Sequence, residues 1–264
     1  MRYLLLGLLL VCHVALAQPD PFPKVAASYL VQVNGALLWE RQVNRRLPPA
    51  SLTKLMTVLL VLEDYKPRAV VEISHLATQE SGTRLGVKNG ERFYVEDMLT
   101  AALINSDNDA CHALADYVAG NQQRFVQMMN RRARQLGLRN THFSNACGHD
   151  GGDHYSTASD LAVLANEAMK NRLLMELVLK DSAQITAIGG TATYRLENKN
   201  ALLGRYQGAL GLKTGYTPKA GKCLIAYAER DGARVLLVML NAPNRWWDAV
   251  DILDLAFAQA RHAS

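Results

Sequence analysis

Residues 208–240 read GALGLKTGYTPKAGKCLIAYAERDGARVLLVML. Three apolar runs, 208–215, 222–229 and 234–240, are short, rich in Leu, Val and Ala, and bounded by turn residues, so they predict strands. Asp231-Gly232 between the last two is a tight-hairpin signal. The same signature stands near the other end, where β-type runs over 28–33 and 36–40 meet at Asn34-Gly35. Between these ends the chain reads as helix. Residues 52–62 are almost wholly apolar, which predicts a buried helix with Ser51 as its cap after Pro48-Pro49. Helical spacing over 95–119 breaks at Asn105-Ser106-Asp107-Asn108, residues that favour caps and turns. Further helices are expected over 122–136, stopped at Gly137, and over 156–169, where Thr157 and Asp160 approximate a capping box. A last helix, capped by Asn244, carries Trp246 and Trp247, and adjacent tryptophans cannot both face a core. Strands at both ends with helices between predict one sheet built from both termini around a helical insertion.

With 264 residues, 49% hydrophobic and 20% charged, the chain can bury one sizeable core. That composition excludes a disordered tail, a collagen-like chain and a small disulfide-stapled module. Residues 1–17 read as a cleaved secretory signal: Arg2, an apolar run over 4–16, and Ala15-Leu16-Ala17 as cleavage site. The run is too short for a membrane span, so none is expected once the signal is gone, and 18–264 form a single domain. Cleavage removes Arg2 and no acid, lowering the formal charge of +5 by one. The remaining excess is scattered, and Arg131-Arg132-Arg134 reads as a solvated helix face, so nucleic acid is not a partner. Cys111, Cys147 and Cys223 survive cleavage. This odd, sparse set includes no CxxC and leaves open whether one bridge forms.

Three short motifs follow in order: Ser51-Leu52-Thr53-Lys54, Ser106-Asp107-Asn108 and Lys213-Thr214-Gly215. Each alone is common. Together, with the first opening a buried helix and the last on a β run, they match the signature set of penicillin-recognising serine enzymes. The spacing i, i+3 puts Lys54 on the face of Ser51. A serine hydroxyl is a weak nucleophile and needs such a base, and a lysine in an all-apolar helix is costly unless paired. The backbone N–H groups of Ser51 and Tyr216 can hold an oxyanion, with Gly215 allowing close approach. Lys213 and Thr214 suit a substrate carboxylate, Ser106 can relay a proton to a leaving amine, and Asn108 can hydrogen-bond a substrate amide.

The stretches ASLTKLMT (50–57), INSDNDACHALADYV (104–118), FSNACGHDGGDHYSTASDLA (143–162) and GLKTGYTPKAGKCLIAYAERDG (211–232) carry a resemblance over nearly the whole chain. The sequence resembles the D-alanyl-D-alanine carboxypeptidases, the low-molecular-mass penicillin-binding proteins. That resemblance implies a three-layer α/β (α+β) fold, an antiparallel sheet between helices. It implies a periplasmic serine acyl-enzyme hydrolase acting on D-Ala-D-Ala ends of peptidoglycan stem peptides, with β-lactams as covalent inhibitors. The chain departs from the family pattern in carrying Asp107 where many members have Gly. It also lacks the C-terminal β-domain and anchor helix of many members, and resembles the short branch that includes D,D-endopeptidases.

Other sites read as structure. His142, His149 and His154 with Asp150 and Asp153 fit no zinc spacing, so no metal or other cofactor is expected. Cys111 reads as core rather than nucleophile. Residues 176–180, Glu-Leu-Val-Leu-Lys, lack the asparagine that accompanies a deacylating glutamate in class A β-lactamases and read as plain helix. A β-lactamase therefore ranks below the peptidase, and a non-catalytic β-lactam or muropeptide sensor below that.

Overall fold

The computed structural model describes residues 20–263, so the expected signal over 1–17 lies outside the described residues. The chain begins with a hairpin of Ser28–Val33 (β1) and Ala36–Arg41 (β2), then a 3₁₀ turn, Ala50–Thr53, runs into helix Lys54–Glu63 (α1). Strand Val70–Glu72 (β3), one helical turn His75–Thr78 (α2), strand Arg92–Tyr94 (β4) and helix Val95–Thr100 (α3) come next. A π-helical turn, Ala101–Asn105, leads through Ser106 into Asn108–Ala119 (α4) and Gln122–Gln135 (α5). Ala158–Ala168 (α6), Arg172–Val178 (α7) and the hairpin Ser182–Thr186 (β5) and Thr193–Glu197 (β6) complete the insertion. Ala209–Thr217 (β7), Gly221–Arg230 (β8), Ala233–Leu240 (β9) and helix Arg245–Ala263 (α8) close the chain.

Five strands form one antiparallel sheet in the order β2-β1-β9-β8-β7. The two termini meet in the pairing of β1 with β9, Tyr29 opposite Met239. Both expected tight turns are present. Asn34 and Gly35 have φ of 51° and 84°, and Asp231 and Gly232 have 52° and 78°, the paired positive values of a twist-matched hairpin turn. Strand residues alternate between two cores. Leu30, Ile225, Leu236 and Val238 point into the core shared with α1, α4 and α6. Tyr29, Val31, Leu224, Ala226, Leu237 and Met239 point into the core shared with α8. With both faces covered, the strands read as nearly continuous apolar runs, and the molecule has the expected three layers.

Several expectations are corrected. Ser51 does not cap a helix: it is the second residue of the 3₁₀ turn, and α1 begins at Lys54 without a side-chain cap. The break at 105–108 is real but follows a π turn, with Ser106 held left-handed at φ 67°. The small sheets β3–β4 and β5–β6 add to the expected architecture, and their strands of three to five residues with one buried position each carry little periodicity. Thr157 caps α6 as expected, accepting from Asp160 N. Of the tryptophan pair, Trp246 packs against the α8 core while Trp247 is 79% exposed.

The structure also answers the cysteine question. Cys111 of α4 and Cys147 form a disulfide with Cα atoms 5.9 Å apart, and Cys223 is buried and free. A bridge closing 36 residues of sequence stabilises by about 3–4 kcal/mol in the chain-entropy account. Titrating denatured, unreduced protein lacking residues 1–17 should therefore give one thiol, and reduction should lower the melting temperature.

Candidate active site

Four pieces of chain converge at the β7 edge of the sheet: the 3₁₀ turn with the start of α1, the start of α4, the loop around residues 145–150, and β7 itself. Lys54 is fully buried on a helix whose residues 54–61 are all buried, so its amine must find partners inside the protein. Its Nζ donates to Ser51 Oγ at 3.1 Å, Asn108 Oδ1 at 2.7 Å and Cys147 O at 2.8 Å. Burial pulls the Lys54 pKa from 10.5 down to about 7, against the opposing charges of Asp107, Glu80 and Asp109.

A second buried lysine faces this group. Lys213 Nζ donates to Ser106 Oγ at 2.9 Å and to Thr214 O at 3.0 Å. Burial, with the positive charges of Lys54 and Arg245, holds it well below the usual lysine range. The left-handed backbone at Ser106 turns its hydroxyl towards this amine, a strained conformation placed where the chemistry would be. Gly215 follows on β7. A Cβ there would stand 3.1 Å from Ser51 N and 3.0 Å from Ala50 Cβ, so any larger residue would have to push the turn back by a few tenths of an ångström. Tyr216, at the end of the same strand, presents an exposed side chain.

Thus Ser51, Lys54 and Asn108 form one hydrogen-bonded group, Ser106, Lys213 and Thr214 another, and Gly215 abuts the first. Asp107 is fully buried beside them. Burial pushes its carboxyl up to about 6, partly offset by a hydrogen bond from Asn105.

The profile of the D-alanyl-D-alanine carboxypeptidase family matches residues 17–244. The chain belongs to that family. It is 34% identical over 239 residues to D-alanyl-D-alanine carboxypeptidase DacF of Bacillus subtilis, an alignment covering 85% of this chain but 60% of the relative. It is also 34% identical to DacB2 of Mycobacterium tuberculosis, covering 88% of this chain and 81% of that one. Among solved structures, the Streptomyces K15 DD-transpeptidase superposes with a TM-score of 0.83 at 30% identity, over 89% of this chain and 97% of that one. The D-alanyl-D-alanine carboxypeptidase of M. tuberculosis gives 0.85 at 31% identity, over 92% and 95%. Fold and family expected from the four motif-bearing stretches therefore stand.

Three contributors to this carboxypeptidase-family site had no motif to announce them. The Cys147 contribution is a backbone carbonyl, which no residue type signals. Arg245, at the start of α8, donates from Nη1 to Gly215 O at 2.7 Å and Cys223 O at 3.0 Å, tying α8 to β7 and β8. Glu80 sits between two histidines. The loop that delivers Cys147 O is folded by Asn145, whose Oδ1 accepts from the N–H groups of Cys147, Gly148 and His149. Asp150 accepts from Thr217 Oγ1 at 2.6 Å and joins this loop to β7.

The histidines considered as a metal site do separate work. His142 bonds the Asp153 carbonyl, His149 meets Glu80, and His154 is buried against Thr53. Ser144 N donates to His154 Nδ1 at 3.0 Å, so its Nε2–H must donate to Thr53 Oγ1 at 2.8 Å. That fixes a neutral ring, and burial together with the charge of His142 lowers its pKa to about 4. The unfolded chain takes up this proton near pH 6.5 while the folded one resists it to about 4, so stability falls as pH drops through that window. Urea melts of His154→Gln and of the unaltered protein between these limits should show a shallower pH dependence in the variant, by about 2–3 kcal/mol at most.

Proposed function

We propose that residues 18–264 act in the periplasm, after export on residues 1–17, as a serine D-Ala-D-Ala carboxypeptidase of peptidoglycan stem peptides. The observation that carries this is the Ser51–Lys54 pair: a hydroxyl within 3.1 Å of a fully buried amine whose pKa is lowered to about 7. Such an amine is a base near neutral pH.

Ser51 Oγ attacks the carbonyl of the penultimate D-Ala, and its proton passes to Lys54. The oxyanion is received by the N–H groups of Ser51 and Tyr216, which the close pass of Gly215 brings together. Lys213 and Thr214 hold the terminal carboxylate. The proton taken up by Lys54 is then relayed through Ser106, which is hydrogen-bonded to Lys213, to the amine of the departing D-Ala as its C–N bond breaks and the Ser51 ester is left. Asn108 keeps Lys54 in place through Oδ1 and gives one amide hydrogen to Ser81 O, leaving the other for a substrate carbonyl. Water then hydrolyses the Ser51 ester. A β-lactam acylates the same oxygen. Glu176 lies on an exposed face of α7, held by Arg172 at 2.7 Å, so it supplies no base for rapid release of a penicilloyl group.

Fluorescent penicillin should therefore leave a persistent label on the protein under denaturing conditions, absent in Ser51→Ala. Lys54→Ala should slow acylation by about 10³-fold. The acylation rate of the unaltered protein should rise with pH through about 7, as Lys54 loses its proton. Intact drug with no label would remove the assignment, and rapid drug destruction would make the protein a β-lactamase.

A further inference from the structure

Glu80 has no role in the mechanism above, yet its carboxylate is gripped from both sides. His112 Nδ1 lies 2.6 Å from Oε1 and His149 Nε2 lies 2.6 Å from Oε2. His112 is one turn beyond Asn108 on the same face of α4. His149 is two residues beyond Cys147. These two elements, α4 and the 145–149 loop, supply the acceptors Asn108 Oδ1 and Cys147 O to Lys54. The backbone next to Glu80 continues the tie. Ser81 O accepts from Asn108 Nδ2 at 2.6 Å and Thr83 O from Asn108 N at 2.8 Å. The Asp109 carboxylate receives the N–H groups of Leu85 and Gly86 at 3.0 and 2.8 Å.

The charges at this seam are defined. Burial alone would raise the Glu80 carboxyl, but the hydrogen bonds and charges of His112 and His149 bring it to about 2. Burial would likewise lower His112, but Asp116 and Glu80 raise it to about 9. At neutral pH Glu80 is therefore an anion. With Asp107 and Asp109 it is one of three anions that favour the charged form of Lys54, against burial.

We propose that Glu80 is a positioning residue for acylation, clamping α4 to the 145–149 loop so that Asn108 and the Cys147 carbonyl aim Lys54 Nζ at Ser51 Oγ. This rests on the serine-peptidase reading of Ser51 and Lys54. Because the clamp is charged, it also acts on the Lys54 proton. Neutralising it leaves Lys54 with Asp107 and Asp109 alone of its three counter-charges, which favours the free amine.

The test is the second-order acylation rate constant with fluorescent penicillin, from about pH 5 to about pH 9, for the unaltered protein, Glu80→Gln and Glu80→Asp, with melting curves for each. Gln keeps the length and removes the charge. Asp keeps the charge but, one methylene shorter, does not reach both imidazoles. The expected result for Glu80→Gln is a maximum about tenfold lower and an acid limb displaced by about half a pH unit towards lower pH. For Glu80→Asp it is a maximum several-fold lower with the limb unmoved. A lowered maximum with an unmoved limb in Glu80→Gln, rates equal to the unaltered protein in both variants, or failure of both to fold would overturn the proposal. An unaltered protein that takes no label would instead remove the serine-peptidase reading and this inference with it. A labelled protein with indifferent Glu80 variants removes the inference alone.

Discussion

Lys54 stands in a helix with no polar face, and the rest of the site is arranged around that fact. Taking an ammonium group out of water costs several kcal/mol unless its hydrogens are satisfied. Three acceptors do this, and they come from residues 51, 108 and 147, which are distant in sequence. The same burial that demands these partners lowers the pKa to about 7. Structural need and the proposed chemical use therefore have one cause, an amine in an apolar place that is stable there and able to give up its proton.

A second buried lysine sharpens the arrangement. Lys213 reaches towards Ser106 as Lys54 reaches towards Ser51, and the Lys54 charge makes the charged form of Lys213 less favourable. Asp107 lies buried near both, its own carboxyl raised to about 6 by the same exclusion of water. Arg245 adds a third positive charge nearby, which acts on Lys213, while its Nη1 bonds the backbone carbonyls of Gly215 and Cys223.

The loop over residues 145–150 has no regular structure, yet it must hold a carbonyl to within a few tenths of an ångström. Asn145 folds it from within, Asp150 pins it to β7, and Thr57 Oγ1 donates to Ala146 O at 2.6 Å. The Cys111–Cys147 bridge and the Glu80 pair with His149 join it to α4 and the preceding loop. Several independent ties are what an irregular segment needs in place of a hydrogen-bonded ladder.

Much of this was legible in the sequence, and the reason is range. The hairpins are written in dipeptides, Asn34-Gly35 and Asp231-Gly232, because positive φ at two adjacent positions suits few residues. The contact of Ser51 with Lys54 is written in a spacing of three, and survives even though Ser51 sits in a 3₁₀ turn rather than capping α1. The order of the three motifs carried the family. Tertiary structure alone decided the rest: which cysteines pair, that Cys147 serves through its carbonyl, and that Arg245 braces β7. It also decided that Glu80 sits between His112 and His149. Each of these joins residues dozens of positions apart, through backbone atoms or side chains whose type permits many partners. Local sequence fixes dihedral preference and spacing along one element, whereas such pairings exist only once the sheet and its helices have closed around Lys54.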